Sequence, residues 1–264
     1  MNQDDLKQKV VTALDHDRVA VVYQPIFRLN TKDVVSAEAL FRYDHPKHGL
    51  VGGAELAEAA ETGPEIFPLE QRIMDRAFQD AASWQRRVPS IRLNLNLSAR
   101  EFQGGTLIER FDVAVQRWKI DPHRLNLEIT ETSYIKSPEE IVPLLNTLKE
   151  RGVGIWLDDF GTGHSSVSHL RYFPVDGIKI PSMFVCDIQS SERCRILIAG
   201  MVRLAHELSL EVVAEGVENE EQEEMLRSVD CDYVQGFLLG KPMSAEDLIA
   251  IGGRKARESA SRPT

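Results

Sequence analysis

The chain has 264 residues, 42% of them hydrophobic, which supplies a full core and excludes an intrinsically disordered protein. The formal net charge of −10, with no stripe of clustered Lys and Arg, excludes a protein that tracks a nucleic-acid polymer and leaves any anionic ligand to local cations. No apolar run approaches the roughly 18 residues of a membrane span.

The first residues, MNQDDLKQKVV, are charged and lack the apolar segment of a signal peptide, so residues 1–14 read as a helix or lead-in and a cytoplasmic location is expected. The cysteines agree with that: Cys186, Cys194 and Cys231 form no CxxC pair and have no histidine at zinc spacing. RVAVVYQPI and VVSAEAL are β-rich, and between YQPIFRL, which continues the first run, and VVSAEAL lie only Asn30, Thr31, Lys32 and Asp33. A parallel crossover needs a dozen or more residues, so these two runs form an antiparallel hairpin. Folding about residue 31 sets Gln24 opposite Glu38.

IFPLEQRIMDRAFQDAASWQ then repeats apolar residues at helical spacing. Two further strands follow, IRLNLNL and RLNLEIT. SPEEIVPLLNTLKERG reads as a helix with Ser137 as its cap, a proline in its first turn and Gly152 at its close. VGIWLDD and GIKI are strands, SERCRILIAGMVRLAHELS a long helix, EVVAEG and DYVQGFL the last strands, and EDLIAIGG a short final helix. Eight strands interleaved with helices predict an α/β fold, a TIM-type (β/α)8 barrel with one reversed strand near the N-terminus, over residues 15–252. Residues 253–264 read as a flexible tail. A doubly wound sheet would need a glycine-rich phosphate turn after the first strand, and none is present.

Barrels of this type carry their chemistry at the carboxyl ends of the strands. Those ends read Glu38, Asn96, Glu128 with Glu131, Asp158 with Asp159, Lys179, Glu215 with Glu218, and Gln235. A single acidic residue at a strand end is ordinarily a helix cap or a solvated rim residue. This many at one mouth repel each other unless a cation joins them. Oxygen ligands without Cys or His favour Mg²⁺ or Mn²⁺ over Zn²⁺. The adjacent pair Asp158 and Asp159 would suit two ions, and two ions about 4 Å apart stabilise the attacking and leaving oxygens of phosphoryl transfer. Lys179 would orient a water or offset phosphate charge, rather than snorkel to the rim. Arg42 reads equally as a phosphate clamp and as a solvated surface arginine. The turn Phe160-Gly161-Thr162-Gly163 would close over a ligand, although Gly-x-Gly alone is a weak sign.

Eight motifs occur in order: YQPI (23–26), EALFR (38–42), NLS (96–98), LEITE (127–131), DDFGTGHSS (158–166), VDGIKI (175–180), AEGVE (214–218) and QGFLLGKP (235–242). Together they resemble the EAL family of bacterial cyclic di-GMP phosphodiesterases over roughly residues 15 to 250. The resemblance implies that Glu38, Asn96, Glu128 and Asp158 hold one Mg²⁺ or Mn²⁺ ion, and that Asp158, Asp159 and Glu215 hold a second. It puts Lys179 on the attacking water, gives Glu215 and Glu131 catalytic parts, and sets Gln24, Arg42 and Gln235 on the dinucleotide. Glu131 would anchor the DDFGTG loop, which in this family also supports a homodimer. The implied reaction opens one phosphodiester of cyclic di-GMP to give linear pGpG.

One departure from the family bears on function. Where the family usually reads K-I-D, this chain has Lys179-Ile180-Pro181. Proline brings neither a carboxylate nor an N–H to the second ion. Asp176 lies five residues upstream, about 16 Å along a strand, and Ser182 is neutral. Loss of such a partner typically weakens metal affinity or activity 10–100-fold. The alternative is therefore a catalytically impaired module that binds cyclic di-GMP, or a protein partner in trans, without turnover. An unrelated metal-dependent barrel enzyme would explain the carboxylates but not the ordered motifs. Glu101, where the family usually has Gln, and Gly52-Gly53, where prolines are common, carry no functional reading.

Overall fold

The computed structural model describes residues 3–46, 48–53, 56, 57, 60, 63–98, 100–103, 105–130, 138–163, 167 and 170–260. Strand β1 (Val19–Arg28) reverses into β2 (Val34–His45), with Gln24 paired to Glu38 as the hairpin reading requires. Lys32 takes the left-handed backbone conformation in the reversal, with φ of 63°. The register slips by one residue between Ile26 and Phe27, a bulge that sharpens the twist where the barrel closes.

The remaining barrel strands are β4 (Arg92–Leu97), β5 (Leu125–Thr130), β6 (Gly154–Asp158), β7 (Gly177–Ile180), β8 (Glu211–Ala214) and β9 (Tyr233–Val234). They run parallel in the order β2-β4-β5-β6-β7-β8-β9, and β1 closes the ring antiparallel to both β2 and β9. The reversed strand is therefore β1. A ninth strand, β3 (Gly49–Gly52), pairs with the far end of β2 outside the ring. The sequence reading lacks it because GLVG offers no alternation of apolar and polar residues.

Around the ring, in chain order, lie α1 (Gln3–Asp15), α2 (Ile66–Arg87), α3 (Leu107–Trp118), α4 (Pro138–Glu150), the single turn α5 (Ser182–Val185), α6 (Glu192–Glu207), α7 (Glu220–Ser228) and α8 (Ala245–Ala260). The apolar stripe of α2 buries Leu69, Phe78, Ala81 and Trp84. Burial of each large side chain contributes roughly 1.5–3 kcal/mol. Trp84 meets the ring of Tyr23 edge-on at 4.9 Å between centroids, and the Tyr23 hydroxyl donates to Asp80 at 2.7 Å, so α2 holds β1 in place. Ser191 caps α6, and Asn219 with Gln222 forms a capping box at the start of α7. The expected Ser137 cap of α4 lies outside the described residues.

The final helix is longer than the sequence reading has it, and runs through residues 253–260 of the expected tail. Arg254, Lys255, Ala256, Arg257 and Glu258 are good helix formers. Gly252 is a packing glycine and not a stop: a Cβ there would lie 2.6 Å from Ile91 Cδ1.

Candidate active site

All four residues of β7 are buried, so Lys179 is enclosed by the barrel instead of reaching solvent, and 1% of it is exposed. Its Nζ lies 2.6 Å from Glu215 Oε1, 2.8 Å from Glu128 Oε2, 3.4 Å from Glu38 Oε2 and 3.6 Å from Asp158 Oδ1. These partners come from β2, β5, the end of β6 and the turn after β8. Side chains of alternate residues point the same way, which puts one residue of each strand end at a common level. Asn96 Nδ2 donates to Glu38 Oε1 at 2.7 Å, and Gln235 Nε2 donates to Glu38 Oε2 at 2.7 Å. Asn94, one pleat below Asn96, donates to Glu128 Oε1 at 2.6 Å.

Four carboxylates share one ammonium here, and their protonation is set by that imbalance. Burial alone would lower the Lys179 pKa, but Asp158, Glu128, Glu215 and Glu38 hold it well above the usual lysine range. Burial pushes Glu128 up to about 8 against the pull of Lys179, with Glu38 and Asp158 adding repulsion. Burial likewise carries Glu215 to about 7, opposed by Lys179 and helped by Asp158 and Glu38. Glu38 is also desolvated, yet Lys179 and the Gln235 and Asn96 amides hold it below the usual carboxylate range. Asp159 is raised by burial and by the charge of Asp158.

Asp158, Asp159 and Glu215 each offer an oxygen within 4.8 Å of the others. Asp159 takes φ of 54°, uncommon for a non-glycine residue, and its N–H donates to Asp158 Oδ1 at 2.8 Å. The next N–H, of Phe160, donates to the Lys179 carbonyl at 3.1 Å, which ties this turn to β7. An all-oxygen donor set, negative in excess and with carboxyl groups raised by burial and mutual repulsion, fits a divalent hard cation.

A cavity of about 340 Å³ opens above these groups, lined by Gln24, Glu38, Asp158, Glu215 and Gln235. Ser182, Gly216, Glu218 and Phe237 complete its wall. Gln24 Nε2 donates to the Gly240 carbonyl at 3.4 Å. Arg42 stands apart: it lies four residues beyond Glu38 on β2, and its Nη1 donates to the Phe41 carbonyl at 2.8 Å. Glu131 lies outside the described residues. Pro181 precedes α5 in an extended conformation, with φ of −68° and ψ of 155°, and leaves that turn without a side-chain cap. Asn94 is a site residue that the sequence reading lacks, because it lies inside β4, two residues short of the strand end at Asn96.

Comparison with known proteins gives one consistent result. The family profile described as "EAL domain" matches residues 7–242. The signaling protein YkoW of Bacillus subtilis is 34% identical over 91% of this chain and 30% of its own length. The bifunctional diguanylate cyclase/cyclic di-GMP phosphodiesterase MucR of Pseudomonas aeruginosa is 34% identical over 93% of this chain and 36% of its own. The chain thus spans about a third of the length of these relatives. Among solved structures, the PaMucR phosphodiesterase in complex with c-di-GMP superposes with a TM-score of 0.87 at 33% identity, covering 92% of this chain and 99% of that one. The EAL enzyme Bd1971, in a form bound to cAMP and cyclic di-GMP, gives 0.91 at 26% identity over 95% and 69%.

Proposed function

Because the chain belongs to the EAL domain family, we propose that it hydrolyses one phosphodiester bond of cyclic di-GMP to give linear pGpG, with Mg²⁺ or Mn²⁺ as cofactor. One observation carries this reading: a buried lysine among four carboxylates at the base of a polar cavity. Glu38, Asn96, Glu128 and Asp158 would hold one ion, and Asp158, Asp159 and Glu215 a second. Bound ions would supply Lewis acidity, a more acidic nucleophilic water and a counter-charge for the phosphate.

The protein's own groups do the rest. Lys179, cationic throughout the physiological range, orients the attacking water and stabilises charge that develops on the phosphoryl oxygens. Glu215, whose carboxylate lies 2.6 Å from Nζ of Lys179, would hold the second ion and help Lys179 position that water. Gln24 and Gln235 present amides to the dinucleotide from opposite neighbours of Glu38, one across the β1–β2 ladder and one by hydrogen bond. Arg42, on the same face of β2 as Glu38, would meet an outer phosphate, and Glu131 would anchor the DDFGTG loop.

The test is incubation of purified protein with cyclic di-GMP and Mg²⁺ or Mn²⁺, with pGpG followed by chromatography beside a Glu38→Ala control. Metal-dependent product that disappears in the control is expected. Binding of cyclic di-GMP without product would overturn hydrolysis and assign the chain a binding role, which the proline at position 181 would then explain.

A further inference from the structure

At the amino-terminal end of the barrel, away from the candidate active site, lies a second cavity of about 540 Å³. That volume falls within the range of small-molecule sites, roughly 300–1,000 Å³. Barrel floors of this type are ordinarily closed by layers of branched side chains. Here Trp156 and Tyr233 pack with Ile26 and Val213 as an apolar cluster separate from the main core, and all four line the cavity.

Two arginines line it as well: Arg28 from the end of β1 and Arg92 from the start of β4. The Arg28 guanidinium lies 5.0 Å from the centre of the Tyr233 ring and donates to its hydroxyl at 3.3 Å. That hydroxyl donates in turn to Glu211 at 2.6 Å, which fixes the aromatic wall. Arg92 is exposed and forms no ion pair among the described residues.

The inner wall is polar for a barrel core. Asn94 and Asn126, paired across β4 and β5, both line the cavity and are buried. Asn126 Nδ2 donates to Asn94 Oδ1 at 2.9 Å, while Asn126 Oδ1 is buried with no hydrogen-bond partner among the described residues. An unsatisfied buried acceptor costs about 1–3 kcal/mol, and a ligand donor offsets that cost.

We propose that this cavity is a binding site for a small planar organic anion of mononucleotide size. The ring packs against Trp156 and Tyr233, its N–H donors reach Asn126 and the acidic wall at Asp33 and Glu211, and its anionic group lies on Arg28 and Arg92. Apolar area and stacking hold the ring, and the guanidinium forks hold a phosphate or carboxylate. The proposal is independent of the hydrolytic reading, because it concerns the opposite end of the barrel and needs no metal.

Calorimetric titration of the full chain in EDTA with adenosine 5′-monophosphate tests it, beside adenosine and inorganic phosphate alone. Binding at one site is expected, at least tenfold weaker in Arg28→Ala and in Arg92→Ala and unchanged in Gln235→Ala at the opposite mouth. Ligand-induced change in tryptophan fluorescence should vanish in Trp156→Phe, which retains Trp84 and Trp118. Absence of binding at millimolar nucleotide overturns the proposal. So does binding that Gln235→Ala abolishes and the arginine variants spare, or binding that inorganic phosphate alone matches.

Discussion

Lys179 is enclosed by four carboxylates it cannot fully neutralise, and removing it leaves them with no ion-pair partner among the described residues. Lys179→Met keeps most of the volume and discards the charge. It should abolish pGpG formation and destabilise the metal-free fold by about 3 kcal/mol, since breaking a buried ion pair costs about 3–5 kcal/mol and protonation of Glu128 and Glu215 relieves part of it. Urea unfolding in EDTA measures that loss, and a variant as stable as the parent would contradict the charge imbalance. At Pro181 the sign is opposite. Pro181→Asp should tighten Mn²⁺ binding 10–100-fold, read by calorimetry; unchanged affinity would show that the carboxylate is dispensable in this chain. Their places at the carboxyl ends of strands made Glu38, Asn96, Glu128 and Lys179 legible in the sequence. That criterion did not single out Asn94, because a polar residue inside a strand has the same appearance whether it faces solvent or holds a buried carboxylate.

At the scale of elements, the turn after β8 packs against those after β7 and β9, and two glycines permit it. Gly216 takes φ of 73°, and a Cβ there would stand 2.4 Å from Ser182 Cβ. At Gly236 a Cβ would lie 2.1–2.6 Å from the backbone of Val217, a contact no flexible side chain can relieve. Gly236→Ala should therefore cost about 1–3 kcal/mol and weaken cyclic di-GMP binding, since the neighbouring Gln235 is displaced from Glu38. Thermal melts and a binding isotherm check the two effects, and a variant with both unchanged would mean the turns part freely. The strands and the helices α2, α4 and α6 were readable from the sequence, and the reversed β1 from its short connection to β2; α3 and α7 were not singled out. The short β3 and the full length of α8 were not, because glycines mark both segments as ends when packing and pairing continue through them.

For the molecule as a whole, pH and metal act on stability together. Burial raises Glu128 to about 8, and Glu215 and Glu70 to about 7, above the 4.5 of an unfolded glutamate. The folded chain therefore holds more protons than the unfolded chain between about pH 5 and pH 8, and its stability falls as pH rises through that window. Divalent ions that bind the folded, ionised form would offset the loss by mass action. In EDTA the melting temperature should be lower at pH 8.5 than at pH 5.5, and Mn²⁺ should raise it more at the higher pH. A rise in stability with pH in EDTA would contradict this. No helix among the described residues is long and apolar enough to cross a membrane. The sequence by itself determined the eight barrel strands, the reversed hairpin and the strand-end side chains, because local composition and turn length act over a few residues. Only the tertiary structure decided that Glu38 and Lys179, 141 positions apart, share one hydrogen bond, that burial holds Glu128 and Glu215 near neutrality, and that a second cavity opens beneath them. Distances and desolvation of that kind exist only once the barrel has closed.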